Sequence, residues 1–127
     1  MSEEANKALV RRYFDEQWNA RNMDVVDELT VSEDPEGRKA WVQSVLAVFR
    51  ESRLTMGDPL AEGDRVVLPW SVRGVLQRDF DGVGSPGETV EYSGLAMLRI
   101  ENGKIVEDVA FTEGFGSVTL GQTYKPG

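Results

Sequence analysis

The stretch that decides the fold runs from residue 88 to residue 111 and reads ETVEYSGLAMLRIENGKIVEDVAF. Two segments rich in β-branched and aromatic residues flank a turn sequence at Asn102 and Gly103. An Asn-Gly pair supplies positive φ at low cost and fits the type I′ turn that joins two antiparallel strands. The sequence therefore predicts a β-hairpin, with strands over residues 88–100 and 104–111.

The rest of the chain places helices before strands. Apolar residues recur at helical spacings over residues 3–20, 22–29 and 38–51, with polar residues on the opposite faces. Two further β-rich segments, residues 54–59 and 65–76, precede the hairpin. The pattern predicts an α+β domain in which the helices gather on one face of an antiparallel sheet.

Composition excludes several classes of function. The chain has 127 residues, and we expect residues 1–127 to form one domain. It contains no cysteine and no histidine, so disulfides and the usual ligands of zinc, copper and haem iron are missing. A net charge of -8 disfavours nucleic acid and anionic membranes, because both attract clustered Lys and Arg. No apolar run approaches the roughly 20 residues of a membrane span, so we expect a cytoplasmic protein.

Several segments carry a family resemblance in their order and spacing. They are NKALVRRYF at residues 6–14 followed by Trp18 and Asn19, AEGDRVV at residues 61–67 followed by Trp70, Arg73 and Gly74, VEYSG at residues 90–94, and LRIENGKIVE at residues 98–107. They are similar to the first helix, the central hairpin and the last hairpin of SnoaL-like polyketide cyclases, in the nuclear transport factor 2-like superfamily. The resemblance implies a cone-shaped α+β barrel, in which three N-terminal helices pack on a strongly curved antiparallel sheet around a deep pocket, and a homodimer.

The same resemblance implies a cyclase of polyketide-type natural-product biosynthesis that uses neither a metal nor an organic cofactor. The expected ligand is an apolar polyketide-like small molecule, and the expected ring closure is of the aldol, oxa-conjugate or pericyclic type. The common device is an acid or base in an apolar cavity, where desolvation raises the pKa of a carboxyl group. The alternative is a non-catalytic ligand-binding or dimerisation module of the same fold.

The final strand supplies the first candidate for that acid or base. Regular alternation places Val109, Phe111 and Glu113 on one face, and two large apolar side chains indicate that this face is buried. Glu113 would then project into the pocket, at a position where the family commonly has an aspartate acting as general acid and base. Alternatively, Glu113 ends the strand at the solvent surface, where most glutamates lie.

Two departures from the family pattern concern proton transfer. Some of these cyclases have a histidine in the penultimate strand, where this chain has Ala96, which offers no proton donor. The HDP segment that the family places after the second helix reads Glu33-Asp34-Pro35 here, so Glu33 is a second candidate carboxylate. The alternative is a solvated turn in which Asp34 caps the third helix.

Aromatic residues are numerous for so short a chain, and they are the candidate substrate contacts. In an enclosed pocket they would shape and stack a polyunsaturated or aromatic ligand, whereas ordinary core packing is the alternative for each of them. The candidates are Tyr13, Phe14, Trp18, Trp41, Trp70, Tyr92 and Phe111.

Overall fold

The structure, a computed structural model, describes residues 2–79 and 84–113, except for the side chain of Glu113. Within these residues the chain forms three α-helices followed by five strands. The helices are α1 (Glu3–Phe14), α2 (Asp24–Leu29) and α3 (Pro35–Leu46), and the strands are β1 (Phe49–Met56), β2 (Leu60–Glu62), β3 (Arg65–Leu76), β4 (Thr89–Glu101) and β5 (Lys104–Glu113). Three helices followed by a curved, open antiparallel sheet is the α+β architecture that the sequence predicts.

The strands form one antiparallel sheet in the order β1-β3-β4-β5, and β2 pairs with the other end of β3. Pro69 lies in β3 where its neighbour on one side changes from β1 to β2. Its carbonyl oxygen accepts a hydrogen bond from the backbone N–H of Gly57 at 2.8 Å. In a β-strand, the backbone N–H and C=O of one residue point toward the same neighbouring strand. The N–H that Pro69 lacks would therefore have pointed at the break between β1 and β2. A proline is tolerated in a central strand at such a position.

The hairpin between β4 and β5 forms as predicted. Asn102 and Gly103 have φ values of 51° and 75°, the left-handed conformation that a type I′ turn requires at both central residues. The two strands that leave this turn are the longest antiparallel pair after β3 and β4, and they contribute Tyr92, Asp108, Ala110 and Thr112 to the site described below.

β5 contains one extra residue close to this turn. Ile100 pairs with Ile105, but the preceding residue of β4, Arg99, pairs with Glu107. Val106 therefore has no partner of its own and forms a β-bulge. Because side chains alternate along a strand, one extra residue exchanges the inward and outward faces of everything that follows it.

The first helix changes its hydrogen bonding near its end. The sequence predicts a helix over residues 3–20, whereas α1 ends at Phe14 and Asp15–Asn19 forms a π-helical turn. The side chain of Asn19 donates to the carbonyl of Leu54 at 3.0 Å and accepts from its N–H at 2.8 Å. The amide thereby takes the place of a strand partner and holds the π-helical turn against β1. Turns of this kind recur at functional sites.

The predicted third helix, residues 38–51, extends too far. α3 ends at Leu46, and Phe49 begins β1 instead of continuing the helix. The Phe49 ring lies over Gly74, where a β-carbon would collide with it, and it stacks on Tyr92 with 6.2 Å between the ring centroids. These contacts with the sheet outweigh the helical spacing of the aromatic residue.

The core lies between the helices and the inner face of the sheet. Its wholly buried members come from both layers and include Val10, Val25, Val42, Val66, Leu68 and Ala96. Among the residues that the structure describes, no helix is long and apolar enough to cross a membrane.

Gly94 in β4 is required by a close approach to its neighbours. A β-carbon there would lie 2.6 Å from Cζ2 of Trp70 and would collide with the carbonyl oxygen of Phe111. Gly94→Ala should therefore lower the free energy of unfolding by about 1–3 kcal/mol, measured by urea denaturation. Gly57→Ala is the matched control, because the nearest atom to its new methyl group is Cβ of Pro69 at 3.3 Å. Equal losses in the two variants would contradict this account of the packing.

Candidate active site

A cavity lies between α3, the end of the first helix and the inner face of the sheet. The space in it that the centre of a water-sized sphere can reach is about 40 Å³, and its total empty volume is about 500 Å³, which includes the part open to solvent. The smaller volume has room for a water molecule or a single polar group and is below the usual size range of small-molecule sites. A ligand larger than a few atoms therefore extends into the part of the cleft that is open to solvent.

Aromatic side chains form much of the wall, as the sequence predicts for five of the seven candidates. Phe14, Trp18, Trp41, Trp70 and Tyr92 line the cavity. Trp18 meets Trp41 edge to face at a centroid distance of 5.7 Å, and Trp70 meets Tyr92 in the same way at 5.8 Å. Contact between these rings and a ligand stays a prediction.

Tyr13 is buried in the core behind this wall, edge-on to Phe14 with 5.3 Å between the ring centroids. Burial raises the pKa of Tyr13, the charge of Asp108 raises it further, and the cation of Arg38 lowers it. Burial alone raises the pKa of Tyr92. Both phenols therefore keep their protons at neutral pH and act as hydrogen-bonding groups rather than as bases.

The inward face of β5 is the opposite of the predicted one. Asp108, Ala110 and Thr112 line the cavity, whereas Phe111 is exposed on the outer face of the sheet. The prediction that Phe111 faces the pocket is wrong. The reason is the bulge at Val106, which shifts the alternation of β5 by one residue.

The two predicted catalytic carboxylates have different outcomes. Glu113 is the last residue of β5 and its backbone pairs with Ser93, but its side chain lies outside the described part of the structure, so its role stays a prediction. Glu33 is exposed in the turn before α3, and the prediction that it is a pocket carboxylate is wrong. The alternative interpretation is confirmed, since the side chain of Asp34 caps α3 by accepting from the N–H of Gly37 at 3.0 Å.

Asp108 is a carboxylate that does face the cavity. Only 16% of its side chain is exposed, and its Oδ2 atom is buried. Its cross-strand neighbour on the inner face is the buried Leu98. Burial raises the pKa of Asp108 above the ordinary value of 3.8, and the positive charge of Arg38 opposes that shift.

Arg38 on α3 is the counter-ion of Asp108. Its Nη2 lies 3.4 Å from Oδ2 of Asp108, too poorly aligned for a hydrogen bond. Its Nε donates to Oε1 of the buried Gln17 at 3.0 Å. The guanidinium carbon lies 5.1 Å from the ring centroid of Trp41 and 5.7 Å from that of Tyr13, within cation–π range. Arg38 is thus held from three sides, with part of its guanidinium directed at Asp108.

This arrangement can move a proton. A desolvated carboxylate accepts a proton from a C–H or O–H acid more readily than a solvated one does. A neighbouring guanidinium stabilises the oxyanion that such a transfer leaves on the ligand. Sequence reasoning missed Asp108 because regular alternation assigns it to the outer face, and it missed Arg38 because arginine is common on the polar face of a helix.

The described residues offer no comparable arrangement of side chains for binding a metal ion. Among residues 2–79 and 84–113, no group of three or more Asp or Glu side chains is placed to hold a metal ion.

Comparison with known proteins identifies the family. A sequence model described as SnoaL-like polyketide cyclase matches residues 8–117. Among solved structures, a proposed polyketide cyclase from Acidithiobacillus ferrooxidans has a TM-score of 0.76 at 20% identity, with 91% of this chain and 94% of that chain covered. AclR, a proposed hydroxylase from Streptomyces galilaeus, has a TM-score of 0.75 at 23% identity, with coverages of 93% and 89%. IdmH, a proposed polyketide cyclase from Streptomyces antibioticus, has a TM-score of 0.73 at 23% identity, with coverages of 85% and 91%. No curated protein matches the chain significantly.

At these identities the structural likeness shows the fold, which proteins described as proposed cyclases and as a proposed hydroxylase share. The sequence model carries the assignment further, because it spans most of the chain from the first helix through β5. The chain therefore belongs to the SnoaL-like polyketide cyclase family.

Proposed function

We propose that this protein is a cofactor-independent cyclase that closes a ring in an apolar, oxygenated polyketide-type intermediate, with Asp108 as the general base. One observation carries the proposal: the largely buried carboxylate of Asp108 faces an aromatic-walled cavity, with the guanidinium of Arg38 3.4 Å away. Membership of the SnoaL-like family supports the reaction class. The role of Asp108 comes from its position in this structure.

For an aldol closure the proton balance is simple. Asp108 removes a proton from the carbon next to a ketone, and the electron pair of the broken C–H bond forms an enolate. Arg38 stabilises the enolate oxygen while its carbon attacks a second carbonyl carbon of the same molecule. A C–C bond forms, and the new alkoxide takes its proton back from the acid form of Asp108. Burial raises the pKa of Asp108, which makes its carboxylate a stronger base for the first step, and the acid form so produced returns the proton in the second.

The cavity walls contribute by holding the ligand in a folded conformation. Rings such as Trp18 and Trp70 present flat apolar surfaces to a polyunsaturated chain. Holding two reacting carbons near contact can lower the barrier by several kcal/mol, since the loss of freedom has occurred on binding. An apolar wall also limits the access of water that would otherwise reprotonate the enolate.

Removing the carboxylate tests this role. The probe is 2-tetralone, a bicyclic ketone with acidic protons at C1, and the measurement is their exchange for deuterium in D₂O followed by NMR. Asp108→Asn should slow the exchange by about 10²–10⁴-fold. The wild-type exchange rate should rise as pH passes through the pKa of Asp108, because only the ionised carboxylate is a base. The exchange rate of Asp108→Asn should not show this rise. Asp58→Asn, at an exposed aspartate, is the matched control and should exchange like the wild type.

Glu113→Gln separates the two candidate carboxylates in the same assay. The proposal expects this variant to retain most of its exchange activity. Loss of exchange in Glu113→Gln together with wild-type exchange in Asp108→Asn would overturn the role of Asp108 and support the earlier prediction for Glu113. Wild-type exchange no faster than in buffer would instead favour the non-catalytic binding module.

We further propose that the protein forms a homodimer through the outer face of the sheet. Leu95, Met97 and Phe111 are 46%, 42% and 49% exposed there, and they lie side by side because Leu95 pairs with Phe111 and Met97 with Val109. Charged pairs of both signs flank this apolar strip, with Arg65 and Glu107 at one end. An apolar centre with a charged rim is typical of protein interfaces.

A charge placed in this strip tests the dimer. Leu95→Lys should convert the protein from a dimer to a monomer in size-exclusion chromatography with light scattering, because a buried unpaired charge is costly. Leu60→Lys adds the same charge at a position that is 72% exposed on β2, and it should leave the dimer intact. A monomeric wild type, or a dimer that persists in Leu95→Lys, would contradict the proposed interface.

A further inference from the structure

Three buried polar atoms of residues around Arg38 have no hydrogen-bond partner among the described residues, and two of these residues, Trp41 and Asp108, line the cavity. They are Oδ2 of Asp108, Nε1 of Trp41 and Nε2 of Gln17. All three side chains contact Arg38: Asp108 through the ion pair, Trp41 through its ring and Gln17 through the other atom of its amide. A fourth atom of this kind, Oδ1 of Asn6, belongs to a residue that is not part of this cluster.

Such a cluster is energetically unusual. Leaving one buried polar group without a partner costs about 1–3 kcal/mol, and the great majority of buried polar groups are paired. Such atoms around one arginine, beside a cavity with about 40 Å³ of space for the centre of a water-sized sphere, indicate a place for a polar group that comes from outside the chain. The space is sufficient for one polar group of a ligand.

The atoms define the chemistry of the incoming group. The indole N–H of Trp41, which lines the cavity, is a donor, so the group must accept a hydrogen bond. The positive charge of Arg38 is already balanced by the carboxylate of Asp108, so a ligand carboxylate would bring a second negative charge that has no counter-ion of its own. A hydrocarbon cannot accept from the indole. A neutral carbonyl oxygen accepts from the indole of Trp41, and an acidic hydrogen on the neighbouring carbon can be removed by Asp108.

We propose that Trp41, together with Arg38, forms a carbonyl-binding site that selects neutral ketones over hydrocarbons and carboxylates. The inference rests on the proposed function, since it places the ketone whose neighbouring carbon Asp108 deprotonates. Trp41 and Arg38 are three residues apart on α3, which puts them on one face of the helix. Gln17, in the π-helical turn, supports Arg38 by accepting from its Nε, and its side chain also interacts with the Tyr13 hydroxyl.

Trp18 provides a matched comparison within the same cavity. It lines the same wall and contacts the Trp41 ring, but its indole nitrogen is not among the buried atoms that lack a partner. Replacing either tryptophan with phenylalanine removes similar apolar surface. Only Trp41→Phe removes a buried N–H donor that lacks a partner in the protein and that we expect to bind the ligand.

The experiment measures affinity by calorimetry for three bicyclic probes of the same size: 2-tetralone, 1,2,3,4-tetrahydronaphthalene and 1,2,3,4-tetrahydro-2-naphthoate. The wild type should bind the ketone more tightly than the hydrocarbon or the carboxylate. Trp41→Phe should lower the affinity for the ketone by about tenfold, the effect of one hydrogen bond, and leave the affinity for the hydrocarbon unchanged. Trp18→Phe should lower the affinities for the ketone and for the hydrocarbon by similar factors.

A second readout follows the hydrogen bond directly. The chain has three tryptophans, so a ¹⁵N–¹H spectrum should contain one indole signal for each, and the signal missing from Trp41→Phe is that of Trp41. Addition of 2-tetralone should move this proton signal downfield, and the hydrocarbon should not. The same spectra recorded with Asp108→Asn separate ketone binding from proton transfer. In this variant the ketone should still move the Trp41 signal, and the hydrocarbon should not.

The outcomes separate the two proposals. Loss of deuterium exchange in Asp108→Asn, with equal ketone affinity in Trp41→Phe and wild type, would overturn the carbonyl site and leave the proposed function standing. A ketone preference that disappears in Trp41→Phe, with no exchange in any variant, would support the site and overturn the catalytic role. A wild type that shows no preference for the ketone overturns the carbonyl site.

Discussion

The β-bulge at Val106 is the constraint on which the site depends. Without the extra residue, alternation from the buried Ile105 would carry Val109 and Phe111 inward and leave Asp108 in solvent. With it, Asp108 enters an apolar layer and Phe111 joins the exposed strip on the outer face. One backbone irregularity therefore supplies both the acid of the cavity and the apolar surface proposed for the dimer. Bulges are frequent next to active sites for this reason.

A carboxylate in that layer requires compensation, and Arg38 provides it only in part. The ion pair lowers the cost of burying Asp108, but Oδ2 accepts no hydrogen bond from the described residues, so the pKa stays raised. A fully satisfied aspartate would be a weak base, and an unpaired one would destabilise the fold. The incomplete pairing leaves the carboxylate usable for proton transfer. The indole donor of Trp41 is also without a partner among the described residues, and we propose that a ligand satisfies it.

Much of the fold could be predicted from the sequence, because it depends on local rules. Asn102 and Gly103 specify the hairpin, and apolar spacing locates the helices. The errors arise where tertiary contacts override local preference: Phe49 leaves the helical pattern to stack on Tyr92, and the first helix widens into a π-helical turn so that Asn19 can pair with β1.

The site was harder to predict than the fold. Five aromatic residues that line the cavity could be found by type alone, since large rings in a small domain line whatever space it encloses. The carboxylate could not, because the sequence around Val106 is compatible with two registers that differ by one residue. Only the pairing of Arg99 with Glu107 distinguishes them, and that pairing is a property of two strands together.

The ionisation of Asp108 tests the central claim most directly. A ¹³C NMR titration of its carboxyl carbon should give a pKa above the ordinary value of 3.8, because the group is buried in an apolar layer. Arg38→Gln should raise that pKa further, since the variant removes the charge that favours ionisation. A pKa at or below 3.8 that does not respond to Arg38→Gln would show that Asp108 lies in solvent, and would contradict the account.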